Sequence, residues 1–235
     1  FRLGDRDLAT HLYRSQRLAE GATLTTVTAE LAARRGTAVK LIPMSDDPVR
    51  TRVTLDQQSD TAGEHRPDEG GLEVAFQDYF VRLHHDVAVR GIRFHGAEAS
   101  TPAPGVIDAL THADLIVCCP SNPLVSIAPI LAVPGIRETL ITRRDDVVAV
   151  SPIVAGSAIK GPADRLLGEL GHEVSVVGIA RLYADWVGTL VIDQADAALA
   201  HAVEGCGLHC VVADTIMSSV EQSTRLAKVV CDAGR

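Results

Sequence analysis

The 235-residue chain is 46% hydrophobic but only 3% aromatic, so its core must be packed from Val, Ile, Leu and Ala. That aliphatic bias suits parallel strands buried under helices and excludes a disordered chain. A formal net charge of −8 with no Lys/Arg block excludes a general nucleic-acid binder, and no apolar run reaches the roughly 18 residues of a membrane span.

In chain order, the first expected helix runs from about Asp7 to Ala19, with Asp5 as its N-cap, Leu8, Leu12 and Leu18 near one face and Gly21 as its stop. A second starts after Thr25 or Thr26 and ends at Gly36. Val39 to Pro43 and Arg52 to Leu55 read as strands, and the polar stretch 56–71 reads as a mobile surface loop. Residues 72–82 are amphipathic and ambiguous, and 91–97 form a short strand. After residue 100 strands and helices alternate. A helix is expected over Gly105 to His112, a buried strand over 114–119, a loop over 120–126 and a helix-prone stretch over Ile127 to Leu131, broken at Pro134-Gly135. Residues 147–154 read as one strand, 155–162 as a loop and Ala163 to Leu170 as a helix. Further strands are expected over 174–177, 189–192 and 209–213, and a last helix from Val220 to Asp232. The alternation predicts an α/β fold with a mainly parallel sheet. No signal peptide is read, and Phe1 opens on text that looks like the interior of a longer protein, so a trimmed chain is expected.

Cys118, Cys119, Cys206, Cys210 and Cys231 show no CxxC spacing and read as reduced thiols of a cytoplasmic protein. Walker A, GxSxG and GxGxxG motifs are all absent. In open α/β sheets ligands bind beyond the C-terminal strand ends, and two loops leave such ends. Pro120-Ser121-Asn122-Pro123 has its backbone fixed by two prolines, and presents either a ligand contact or an ordinary strand-to-helix turn. Residues 151–162 combine glycines, Lys160 and a proline at a helix start, either an anion site or a connection with a solvated lysine. On the first helix Asp7, His11 and Arg14 share a face with Thr10 beside them, as a substrate grip or a surface salt-bridge ladder. The pairs Asp46-Asp47 and His84-His85 diverge on any regular element and read as surface features, not metal ligands.

Gly4-Asp5-Arg6-Asp7-Leu8-Ala9-Thr10-His11, followed by Arg14, resembles a hallmark segment of the 2-phospho-L-lactate transferases. So do Phe76 to Arg82, Pro120 to Ile127 with Ile130 to Ile136, Ser151 to Val154 with Lys160 to Asp164, and Asp214 to Met217, in family order. The resemblance implies a Rossmann-like, mainly parallel sheet with an inserted α+β substrate-side subdomain, residues 1–100 forming the insertion and 101–235 the later part of the core. It implies transfer of a phospholactyl or phosphoenolpyruvyl group from a guanosine diphosphate conjugate to the deazaflavin Fo, with release of GMP, in deazaflavin coenzyme biosynthesis. It further implies a homodimer and a magnesium ion. The family's glycine-rich turn and paired aspartates are expected before Phe1, so the metal ligands are not named here. By the same resemblance Asp5, Asp7, Thr10 and Arg14 contact substrate, and His11 aids proton transfer. Ser121, Asn122, Pro123 and Ser126 contact nucleotide or Fo, and Lys160 and Gly161 contact an anion. Relatives of the same fold that bind a nucleotide-sugar and regulate without catalysis are the competing reading; the early Asp/Thr/His/Arg segment favours the transferase.

Overall fold

The computed structural model describes residues 3–56, 71–83 and 87–234. His84-His85, and all but the ends of the polar stretch 56–71, lie outside the described residues.

Two helices open the chain, α1 (Asp5–Ala19) and α2 (Leu24–Arg34), folded against each other. Gly4, not Asp5, is the N-cap of α1; Asp5 instead lies in the first turn, where its charge suits the helix dipole. α2 starts earlier than its threonines suggest, because the Thr23 side chain accepts a hydrogen bond from the Thr26 amide. The expected strand over Val39 to Pro43 does not form. Val39 and Leu41 are exposed there, and the pairing found nearby among the described residues is the isolated bridge Ser45–Pro102. Asp46 and Asp47 act as braces: Asp46 Oδ1 accepts from Thr25 N at 2.7 Å, and Asp47 Oδ2 accepts from Thr101 N at 2.8 Å.

β1 (Arg50–Leu55), β2 (Glu73–Ala75) and β3 (Val89–His95) form an antiparallel sheet in the order β2-β1-β3. The ambiguous segment 72–82 resolves into β2 and a wide helical turn over Asp78–Arg82. The second sheet is parallel, with β4 (Ile116–Cys118), β5 (Val147–Val150), β8 (Thr189–Asp193) and β9 (His209–Ala213) in sequential order. β5 and β8 are buried at every residue, β5 wholly aliphatic and β8 aliphatic between Thr189 and Asp193, as strands between two helical layers should be.

The faces of these strands alternate. Val147, Ala149, Leu190 and Ile192 point into the larger core, which also receives α3 (Val106–His112), α5 (Ile136–Thr142), α7 (Val176–Tyr183) and α8 (Ala200–Glu204). Val148, Val150 and Val191 meet Leu226 and Val230 of α9 (Val220–Ala233) on the other face. A short α4 (Ala128–Leu131) continues a wide turn over Pro123–Ile127.

Two expectations fail for local reasons. Residues 147–154 are not one strand. Ser151 Oγ donates to the Ile153 carbonyl and accepts from its amide, turning the chain after β5 so that β6 (Ile153–Val154) pairs instead with β7 (Ser157–Ala158). The tight link between them puts Ala155 at φ +49° and Gly156 at φ +76°, with Asp196 accepting from Ala155 N at 2.8 Å. Residues 174–177 are not a strand either. Ser175 Oγ accepts from Val177 N and Gly178 N, which caps α7 and turns an apparent β run into a buried helix start.

Candidate functional site

Three strands of the parallel sheet end in the walls of one cleft of about 440 Å³. Pro120, Ser121 and Asn122 arrive after β4, and Ser151 and Pro152 after β5. Ile159, Lys160 and Ala163 come from the approach to α6 (Ala163–Glu169), and Thr215 to Ser218 from the segment after β9. This is the place where an open parallel sheet holds a ligand.

Each wall is fixed locally. Asn122 Oδ1 accepts from Leu124 N at 2.9 Å and Val125 N at 3.2 Å, satisfying amides of the turn that Pro123 begins. Its Nδ2 is buried with no hydrogen-bond partner among the described residues. Beneath the opposite wall, Asp193 at the end of β8 accepts from Thr215 N at 2.9 Å, Thr215 Oγ1 at 2.8 Å and Ala195 N at 2.9 Å. Burial works to raise the Asp193 pKa, but these hydrogen bonds outweigh it and hold the carboxyl below its ordinary range. At the end of β4, burial and the neighbouring Cys119 push the Cys118 thiol up to about 12, so it stays protonated and packs as a small apolar group.

Chemically the cleft is apolar at its rim, where Ile159 and Met217 leave about half their surface exposed (55% and 51%), and carries hydroxyls and one ammonium group within. Among the described residues no carboxylate lines it. Lys160 is exposed and stands in no ion pair among the described residues. Such a surface suits an anionic ligand that also has an apolar portion.

A family model described as "2-phospho-L-lactate transferase CofD" matches residues 1–230. The chain belongs to the CofD family.

It is 42% identical over 229 residues to a phosphoenolpyruvate transferase of Kitasatospora aureofaciens, covering 97% of this chain and 68% of that one. It is 39% identical over 232 residues to a 2-phospho-L-lactate transferase of Methanosarcina mazei, covering 99% of this chain and 71% of that one. A crystal structure of a Bacillus halodurans protein aligns with a TM-score of 0.63 over 98% of this chain and 75% of the other, at 14% identity, which is a likeness of fold alone. With relatives this similar, the chain is a transferase.

The structure brings together Ser121, Asn122 and Lys160 of the site residues expected from the resemblance, joins to them Ser151 and Thr215 to Met217 from its matching segments, and adds Ser218. Pro123 is buried behind Asn122 and faces a separate apolar groove with Trp186. Ser126 is exposed and lies outside the cleft lining. Gly161, next to Lys160, takes φ +76°, and a Cβ added there would meet nothing within 4 Å, so the position is set by backbone conformation and not by space. Asp5, Asp7, His11 and Arg14 lie on the exposed surface of α1 and line neither this cleft nor the one between α1 and α2; Thr10 lines the second. Ser218 had no mark in the sequence. Its hydroxyl bonds to Gln222 in the first turn of α9, and only the fold brings it to the cleft.

No group of three or more His, Cys, Asp or Glu among the described residues could hold a metal ion, and the cleft wall carries no carboxylate. The described residues therefore offer no such cluster for the magnesium ion, whose ligands the resemblance places before Phe1. No helix among them is long and apolar enough to cross a membrane by itself.

Proposed function

We propose that this transferase moves a phospholactyl or phosphoenolpyruvyl group from a guanosine diphosphate conjugate to the deazaflavin Fo. A hydroxyl of the Fo side chain attacks the phosphorus nearest the three-carbon acid, the bond from that phosphorus to the bridging oxygen breaks, and GMP leaves with the electron pair. The hydroxyl proton passes to an acceptor; the resemblance offers His11, which lies on the exposed surface of α1 outside the cleft lining. The proposal includes a cytoplasmic homodimer and a magnesium ion held outside the described residues; no step here is routed through the metal.

The observation that carries the reading is the convergence of Ser121, Asn122 and Lys160 beyond the strand ends, in a chain about 40% identical to enzymes named for this chemistry. A phosphoryl transfer asks of the protein positioning and neutralisation of charge more than covalent participation. Lys160 supplies a mobile cation, Ser121 a hydroxyl donor, and the apolar rim at Ile159 and Met217 a surface for a flat ring.

Titration of Fo by its own fluorescence, followed by measurement of GMP release with each donor conjugate, tests this. Saturable Fo binding with GMP release supports the transfer and identifies the donor. Binding of a nucleotide-sugar without any Fo binding would replace it with the regulator reading.

A further inference from the structure

A second cleft, of about 770 Å³, opens between α1 and α2 and shares no lining residue with the first. Arg6 enters it from α1, Arg34 and Arg35 from the end of α2. None of the three stands in an ion pair among the described residues, and no carboxylate lines the cleft. In a chain of net charge −8 that is a local inversion of sign.

The arrangement is held by its neighbours. Glu30, the nearby carboxylate, is already engaged: it accepts from Arg17 Nη2 at 2.9 Å and from Tyr13 Oη at 2.6 Å. Those hydrogen bonds, Arg17's first, hold its carboxyl down at about 2. Tyr13, anchored in this way, presents its ring to Arg34, whose Cζ lies 4.2 Å from the ring centroid. Arg35 donates to Thr10 Oγ1, while the same hydroxyl donates to the Arg6 carbonyl at 2.7 Å. Thr10 is thus a positioning residue for Arg35.

Arg6, Arg34 and Arg35 form no ion pair among the described residues, and Glu30, the carboxylate whose charge Arg34 feels, is engaged by Arg17, so the cleft keeps an excess of positive charge that a seated anion offsets. Guanidinium forks match phosphate oxygens two at a time. Three arginines do not make a track for a nucleic acid, and the overall negative charge opposes a polyanion.

We propose that the α1–α2 cleft is a binding site for a compact phosphate-bearing small molecule, held by Arg6, Arg34 and Arg35. The site is separate from the transfer cleft and does not depend on the function proposed for it.

The test is titration of inorganic pyrophosphate into ¹⁵N-labelled chain, followed at the amides of Thr10, Tyr13 and Arg35. Saturable shifts are expected, weakened about tenfold or more in Arg34→Gln/Arg35→Gln, weakened by added salt, and retained in Lys160→Ala. Arg6→Gln guards against a hairpin that merely melts, since the Arg6 side chain makes no hydrogen bond or ion pair among the described residues; it too should weaken binding. Absence of saturable shifts at millimolar pyrophosphate, or shifts that persist unchanged in Arg6→Gln and in the double variant, would overturn the proposal. Loss of shifts only in Lys160→Ala would move the anion to the other cleft and overturn it equally.

Discussion

Lys160 carries the transfer cleft's positive charge and has no ion-pair partner to lose among the described residues, so its removal separates chemistry from folding. Lys160→Ala should lower kcat/KM by about tenfold or more, the scale of one charge-assisted contact, with an unchanged melting temperature. His11→Ala provides the comparison. It should slow transfer without unfolding the chain if the imidazole takes the hydroxyl proton, and identical kinetics would remove His11 from the mechanism. Asp193 works differently, because its three accepted hydrogen bonds are structural. Its folded-state pKa lies below the unfolded one, near 3.9. The stability it contributes is therefore complete above that value and is lost as pH falls through the folded value. Asp193→Asn should cost roughly 1–3 kcal/mol at neutral pH and flatten the acid limb of a pH–denaturation series; a variant with the wild-type acid limb would contradict this. Asn122 and Lys160 were legible in the sequence because prolines and glycines punctuate their loops. Thr215 was legible only by resemblance, since its role depends on Asp193, 22 positions earlier in the chain.

At the scale of elements, apolar pattern predicted β5 and β8, since buried parallel strands need little but an aliphatic run, and also β9 at the sheet edge, where Ala213 alone of its residues is buried. The same rule misread 174–177, because Val-Ser-Val-Val is as good a helix start as a strand once Ser175 accepts two amide hydrogen bonds. It also ran β5 and β6 together, because a serine side chain turning the chain leaves no mark on hydropathy. Helix α7 depends on one more detail. A Cβ at Gly178 would lie 1.9 Å from the Glu173 carbonyl oxygen, which is backbone and cannot rotate away. Gly178→Ala should therefore displace α7 or the segment before it and destabilise the chain by roughly 1–3 kcal/mol or more, read as a lowered denaturation midpoint. A midpoint equal to wild type would show that the 173–178 segment has room to yield.

At the scale of the molecule, two sheets of different kind share their supports. The antiparallel sheet buries Val53, Leu55, Val74 and Val89 against Tyr79 of the helical turn after β2 and against Leu166 of α6, with Leu124 and Val125 from the turn after β4. Glu169 of α6 reaches the same sheet, accepting from Val89 N at 2.9 Å. The change of texture near residue 100 marks the change of sheet type, yet these cross-contacts join segments about 80 positions apart and no local pattern announces them.

The turn after β4 and the helix α6 therefore each have two ends with different duties. One end of each bears on the transfer cleft, at Asn122 and at Ala163, and the other closes the core of the antiparallel sheet. A ligand that steadies the cleft must then slow the opening of strands it never touches. Amide hydrogen exchange can detect this: protection at Val53 and Val89 should rise when the transfer cleft fills, and Glu169→Ala should abolish that rise while leaving the ligand bound. Exchange in β1 and β3 that ignores the ligand would mean that the two sheets open as separate units.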